Sequence, residues 1–506
     1  MDERIEERKN FYDNQKKDIS NERELYGLSL RKKTLENNFL KKRLNNLEPK
    51  DNLLRYKINV NSLNIKNEYK SLSFSTLKET LDKCSKILSI EQDKDNIYFI
   101  IFFLNKIQFK SNEISLIQSN IPNQLCLLLQ KYIEDIILVN EILTIIINIT
   151  YYCKKEVTLL FSEISFLNVY NQILNKYNNE DKIIFSDLIL IFGNLVCGDH
   201  QIQKLFYETK MIDILTKIYE STSNGDKKRE NLIWFFTCFM NNIRTNDYFK
   251  NKIDFFIWGI DFFFDNLLYE QSTFYCLLGM AYLCSIEDTK ITNYFLTKEN
   301  FFKYILTLPD KYFELVCRIL CDISSINDEI NLNLIRKYNI TQFILKGLNS
   351  QSSNYQTLTL YLLNNYINDE NNEIKQIFLD CGIINKLLEL NKSSFVNSVL
   401  YATLLCISSL LLNSNKQIIF ILYQKKIISN IIEVISQNSD PIIIKLALDS
   451  IISILKKDNT DEIYKKQFVN YGISELLNKI YLEKKNKIIE KIIGQLLQEY
   501  FSSPLN

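Results

Sequence analysis

Residues Leu188 to Asp199 read LILIFGNLVCGD, an apolar run that carries Asn194 near its end and closes on Gly198 and Asp199. A polar residue at the end of a helix that is apolar all round needs a partner or a purpose. The same shape recurs along the chain. EILTIIINIT ends on a turn holding Asn148, LLGMAYLCSIED carries Tyr282, RILCDISS carries Asp322, YLLNNYIND carries Asn365 and LLCISSLL carries Ser408. Starting from Asn148, these positions lie 46, 88, 40, 43 and 43 residues apart, and NLIWFFTCFMNN splits the 88 by placing Cys238 at 44 from each neighbour. A helical unit repeated every 40 to 46 residues is the spacing of a helical-repeat solenoid.

The period predicts an all-α array of the armadillo or HEAT type, about ten repeats long. Composition agrees. The 506 residues contain 10 Gly and 5 Pro, and no Pro/Gly/Ser-rich linker interrupts the chain after about residue 75. A solenoid has no single centre, because each repeat buries its apolar face on its neighbours, so a long chain needs no domain break. The charged stretches at Lys83 to Lys110 and Glu462 to Phe501 suit the polar capping repeats such an array requires.

Eleven cysteines are scattered singly through apolar segments, and Cys317 with Cys321, the closest pair on one helix, has no second pair to complete a metal site. With His200 as the only histidine, buried reduced thiols are the expected reading, with no metal and no cofactor. The apolar run IILVNEILTIIINI is broken by Asn140 and Glu141 and is shorter than the roughly 20 residues that span a bilayer. The charged N-terminus does not read as a signal peptide. Without a phosphate-binding glycine loop or a Ser/Cys/His arrangement, the chain is not expected to be an enzyme.

Residues 1 to 50 differ from the rest. LRKKTLENNFLKKRLNN, from Leu30 to Asn46, sets Arg31, Lys32, Lys33, Lys41, Lys42 and Arg43 against Glu36, on a chain whose formal net charge is +1. So strong a local cation implies an acidic partner, unless it is simply a solvated charged helix or a nucleic-acid-binding arm. Residues 51 to 75 read as a linker, and residues 76 to 506 as the solenoid, opening on a weak repeat in NIYFIIFFLNKIQ.

The segment from Arg8 to Asn46 resembles the importin-β-binding segment of the importin-α family, with LRKK and LKKR at that family's two basic clusters. IFGNLVCGD is similar to the third armadillo repeat of that family. LVCRILCDISSINDE is similar to the sixth, including Arg318 in place of tryptophan, and ISELLNKIYLEKKNKIIEKIIGQLLQEYF is similar to the tenth. The resemblance implies a right-handed superhelical solenoid and a nuclear import adapter that shuttles between cytoplasm and nucleus. In that reading Arg31, Lys32, Lys33, Lys41, Lys42 and Arg43 bind importin-β, and the groove binds basic nuclear localisation signals of cargo proteins. No membrane or direct nucleic-acid partner is implied.

A groove of this kind works by simple geometry. Neighbouring helices stand about 8 to 10 Å apart, and an extended peptide advances roughly 3.3 Å per residue, so each repeat spans about three peptide residues. Asn side chains at that interval can donate to and accept from a peptide backbone. An aromatic residue one turn earlier lies on the same face and can flank a lysine stem. At the rung position the chain has Asn148, Asn194, Cys238, Tyr282, Asp322, Asn365 and Ser408; four residues earlier it has Thr144, Leu190, Trp234, Leu278, Arg318, Tyr361 and Leu404. By resemblance Asn148, Asn194, Asn365 and Trp234 keep the family's identities, Tyr361 substitutes one aromatic for another, and Asp199 matches the acid that receives the signal's key lysine. Tyr152 and Cys153 stand where the family has Gly and Thr. Arg318 and Asp322 sit one turn apart, where they can pair. The eroded ladder also suits a different class of protein, an armadillo scaffold that binds a protein partner and takes no part in transport. Each Asn has a plain alternative as a helix-end former, and Trp258, in FFIWGIDFFF, reads as core.

Overall fold

The computed structural model describes residues 63–66 and 77–501, apart from short breaks at 108–112, 153–154, 179–180, 198–199, 224, 245, 287, 325–327, 368–370, 394–395, 459–461 and 484–485. The basic segment, with Arg31, Lys32, Lys33, Lys41, Lys42 and Arg43, and the carboxylate of Asp199 lie outside the described residues.

All regular structure among the described residues is helical. Ten helices form a ladder: α1 Lys94–Asn105, α2 Ile136–Tyr152, α3 Lys182–Val196, α4 Lys227–Ile243, α5 Thr273–Cys284, α6 Phe313–Ser324, α7 Ser353–Ile367, α8 Asn397–Asn413, α9 Pro441–Leu455 and α10 Lys487–Leu496. Each packs on the next. Shorter helices join successive rungs, as His200–Glu208 and Met211–Ser221 join α3 to α4. The chain is therefore an α-solenoid of the armadillo type.

Local chemistry sets the start of the rungs. Asp93, Asp181, Asp226, Asp440 and Asn486 cap α1, α3, α4, α9 and α10, each side chain accepting from backbone N–H groups of the first turn. Asp181 accepts from Ile183 at 2.7 Å and Ile184 at 2.9 Å. Such caps satisfy donors that have no partner inside a helix. Before α9, Asp440 is followed by Pro441, whose fixed φ suits the first helical position. Four of the described corners between the two short helices of a repeat turn through a left-handed residue: Lys210, Gly382, Lys426 and Gly472, with φ of 58°, 81°, 65° and 70°.

The rungs are apolar around most of their circumference because each lies between two other rungs and its own short helices. In α3 every residue from Ile184 to Val196 except Leu190 is buried. The result is one continuous core from Leu81 to Leu496, joined near α8 by a small second cluster around Leu404, Val434 and Ile443. Residues 63–66 dock on the start of the ladder: the Asn64 N–H donates to the Asp95 carboxylate at 2.9 Å and Lys66 pairs with Glu91 at 2.7 Å. No helix among the described residues is long and apolar enough to cross a membrane.

Candidate functional site

The ladder brings the rung residues onto successive helices: Asn148 on α2, Asn194 on α3, Cys238 on α4, Tyr282 on α5, Asp322 on α6, Asn365 on α7 and Ser408 on α8. Their chemistry is not uniform. Asn148 is half-buried, and no hydrogen bond engages its amide among the described residues. Asn194 is buried and donates from Nδ2 to Thr150 Oγ1 on α2 at 3.2 Å. Asn365, half-buried, donates to the Cys321 carbonyl at 2.9 Å and to Ser324 Oγ at 3.2 Å, both on α6. These two amides tie a rung to the one before it, so their hydrogen-bonding capacity is partly spent inside the protein.

The row one turn earlier is also mixed. Trp234 is 9% exposed, and its indole lies on the backbone of α3 at Gly193, directly before Asn194. Arg318 donates from Nη2 to Glu314 Oε1 at 2.9 Å, an ion pair that runs one turn back, toward the helix start. The acid at the helix N-terminus gains from the helix dipole as well as from the guanidinium. Tyr361 is half-buried and packs against both apolar clusters. Leu404 departs from its expected place: it is fully buried, and Tyr401, three residues earlier, takes the half-exposed position on α8. Asp322 and Cys238 are buried.

Further polar links join rungs that the Asn spacing did not reveal. Asn105 on α1 donates to the Glu141 carbonyl at 3.1 Å, Asn231 on α4 donates to Ser186 Oγ on α3 at 2.8 Å, and Arg244 after α4 donates to Ser285 Oγ after α5 at 3.0 Å. Arg244 also lies 5.5 Å from the centroid of the Tyr282 ring. The sequence signal for these was present in the second polar residue of each rung, which a search for one Asn per repeat passes over.

Trp258 belongs to an aromatic stack, 5.4 Å from Phe255, 5.1 Å from Phe236 and 5.2 Å from Phe262 between ring centroids. His200 Nδ1 stands 3.4 Å from Gln203 Oε1. Eight of the ten described cysteines are buried, and burial raises the thiols of Cys84, Cys276, Cys284, Cys317 and Cys406, Cys84 to about 12. A thiol so hard to ionise is not a nucleophile at neutral pH. What the ladder offers is a surface of amides, aromatic faces and paired charges on a rigid frame.

No family model and no curated protein matches this sequence. Among solved structures, the chain is similar to an engineered protein at a TM-score of 0.65 and 15% identity, over 84% of this chain and 99% of that one. It is also similar to a designed armadillo repeat protein in complex with the peptide (KR)4, at a TM-score of 0.42 and 16% identity, over 50% of this chain and 100% of that one. A computationally designed armadillo repeat protein for modular peptide recognition gives a TM-score of 0.41 and 16% identity, over 48% and 97%. At these identities the likeness concerns the path of the backbone alone.

Proposed function

We propose that this chain is an interaction protein that holds an extended peptide segment along its ladder helices, and that it works as an importin-α-like import adapter. The observation that carries the peptide reading is Asn148: a half-buried amide at the rung position of α2, with no partner among the described residues, on the same ladder as Asn194, Trp234, Tyr361 and Asn365. The adapter reading adds the basic clusters Arg31–Lys33 and Lys41–Arg43, which supply the chemistry an acidic carrier such as importin-β would recognise. Basic cargo signals would lie in the groove, with Asp199 as their lysine acceptor, and the protein would move between cytoplasm and nucleus. No catalysis is proposed.

A second reading, a scaffold outside transport, is favoured by how much of the ladder is turned inward. Asn194 and Asn365 bond to neighbouring rungs, Arg318 is paired with Glu314, and Trp234 is nine-tenths buried. A pull-down of the full chain with importin-β separates the two. Retention that is lost when Arg31, Lys32 and Lys33 are reversed to glutamate supports the adapter, because several charge-assisted contacts of roughly 1.5 to 3 kcal/mol each disappear together. No retention leaves the scaffold.

A further inference from the structure

The connectors on either side of α4 meet in a corner of aromatic rings. Tyr207 comes from the helix His200–Glu208, Tyr248 and Phe249 from the short 3-10 turn Asp247–Phe249, and Phe255 from the first turn of the helix Ile253–Asn266. Between centroids, the Tyr207 ring stands 6.1 Å from Tyr248 at 72°, 5.5 Å from Phe249 at 87° and 5.7 Å from Phe255 at 83°. Rings set this close to perpendicular bound a corner where parallel ones would make a stack. The corner has a firm base, since the fully buried Phe249 packs edge-on against Phe239 of α4 at 5.8 Å. Tyr207, Tyr248 and Phe255 themselves are half-buried, so the corner opens to solvent.

This corner holds a cation. Lys252 Nζ lies 4.4 Å from the centroid of Tyr207 and 4.7 Å from that of Tyr248. Its backbone is pinned there, because the Lys252 N–H donates to the Phe249 carbonyl at 2.8 Å and the Lys252 carbonyl accepts from the Phe255 N–H at 3.0 Å. Two neighbouring lysines are ordinary ion-pair partners: Lys204, 5.3 Å from the Tyr248 centroid, has Glu208 at 3.7 Å, and Lys250 has Asp247 at 2.6 Å. Lys252 differs from both. Among the described residues no carboxylate and no hydrogen-bond acceptor engages its ammonium, and two tyrosine faces are its partners.

We propose that Lys252 is a site of Nζ methylation, and that Tyr207 and Tyr248 hold the methylated ammonium in place, fastening the connector before α4 to the connector after it. The assignment is independent of the peptide reading, because these residues lie on the connectors and not on the ladder helices. A plain ammonium is a strongly hydrated charge with three donors, and ring faces accept them poorly. Methylation keeps the charge and removes the donors, and aromatic corners are the sites that recognise such quaternary cations. Methyl groups on C–N bonds of about 1.45 Å would meet both rings near the ordinary carbon contact of about 3.5 to 4.0 Å. Lys457 shows the contrast: its ammonium donates to the Leu411, Leu412 and Ser414 carbonyls at 2.7, 2.7 and 2.6 Å, and methylation there would strip those bonds. At Lys252 no described bond is lost. In each transfer the nitrogen first gives a proton to solvent, then attacks the methyl carbon of a sulfonium donor such as S-adenosylmethionine; the C–N bond forms as the C–S bond breaks, and the sulfur leaves with the electron pair as a neutral thioether.

The test has two arms, both on the full chain. Peptide mass spectrometry of the protein purified from the cells that make it should find added methyl groups on the peptide carrying Lys252, and none at that position in Lys252→Gln. An unmodified Lys252 throughout overturns the site. The second arm empties the corner with Lys252→Ala and titrates that variant with tetramethylammonium chloride or ammonium chloride, following the melting temperature. Tetramethylammonium should stabilise it at roughly a fifth of the concentration that ammonium needs, and the difference should vanish when Tyr207→Leu is added. Tyr248→Leu takes its place if that double variant does not fold. Equal effects of the two salts, or a difference that survives loss of the ring, overturn the corner as the holder of a methylated cation, whatever the first arm finds.

Discussion

The indole of Trp234 on α4 rests on the backbone of Gly193 on α3, so closely that a methyl group at Gly193 would stand 2.2 Å from the ring carbon Cη2. No real contact is that short, and a rigid ring bound on several sides by core cannot slide away as a flexible side chain would. Gly193→Ala should therefore expel or tilt the indole, costing about 1 to 3 kcal/mol of stability as overpacking does. The shift should be visible in tryptophan emission, since Trp258 is the only other indole. Unchanged emission and stability would mean that the ring does not occupy this seat in solution.

The asparagines should separate into two kinds. Asn365→Ala removes the donor to the Cys321 carbonyl and Ser324 and should cost about 1 kcal/mol in urea denaturation. Asn148→Ala breaks no described hydrogen bond and should change stability by less than about 0.5 kcal/mol, yet weaken binding of an extended peptide. Equal stability losses at both positions would contradict the division.

Gly382 offers a test of backbone conformation alone. Its φ is 81°, and nothing lies within 4 Å of the place a Cβ would occupy. Gly382→Ala should cost about 1 to 2 kcal/mol through left-handed backbone strain, with no packing change to confuse the measurement. Lys426 holds the same corner one repeat later with φ 65°, and Lys426→Gly should be neutral or stabilising by up to about 1 kcal/mol. A loss of stability in the lysine variant would show that its side chain contributes contacts outweighing the strain.

Alkali should weaken the fold through the thiols. Burial raises Cys84 to about 12 and drives Cys276, Cys284, Cys317 and Cys406 upward from an ordinary 9.0. A group raised in the folded state contributes stability that is intact below its unfolded value and lost as pH climbs toward its folded value. Above pH 9 the unfolded chain sheds protons that the folded chain keeps, and each such thiol removes up to ~1.4 kcal/mol per pH unit. Lys457, lowered by burial beside the carbonyls that close α8, and Lys228, also lowered by burial, work in the opposite sense as pH rises toward 10.5, but among the described residues they are two groups against six raised thiols, Cys126 included. Denaturation midpoints under reducing conditions should fall steeply from pH 9 to pH 11. A flat profile would place these thiols in water.

The fold was legible because its determinants are local and repeated. Apolar runs every 40 to 46 residues, with Asp181, Asp226 and Asp440 before them and Gly382 and Gly472 at the corners, each act within a few residues of themselves. Repetition makes the same signal readable several times over, which is why the ladder from Asn148 to Ser408 fell on successive helices. What a rung residue does is a different matter, because it depends on the neighbouring rung some 44 residues away. Only the packed structure turns Asn194 toward Thr150 and leaves the Asn148 amide unengaged among the described residues, although both read alike in sequence. Only packing seats Trp234 on Gly193, points Arg318 back to Glu314, and exchanges Leu404 for Tyr401 on α8. The corner that holds Lys252 joins Tyr207 to Tyr248, 41 residues apart, across the two connectors that flank α4. Helix periodicity decides which face a residue is on, while the rotation of each rung against its neighbour decides whether that face is spent on the protein or left for a partner.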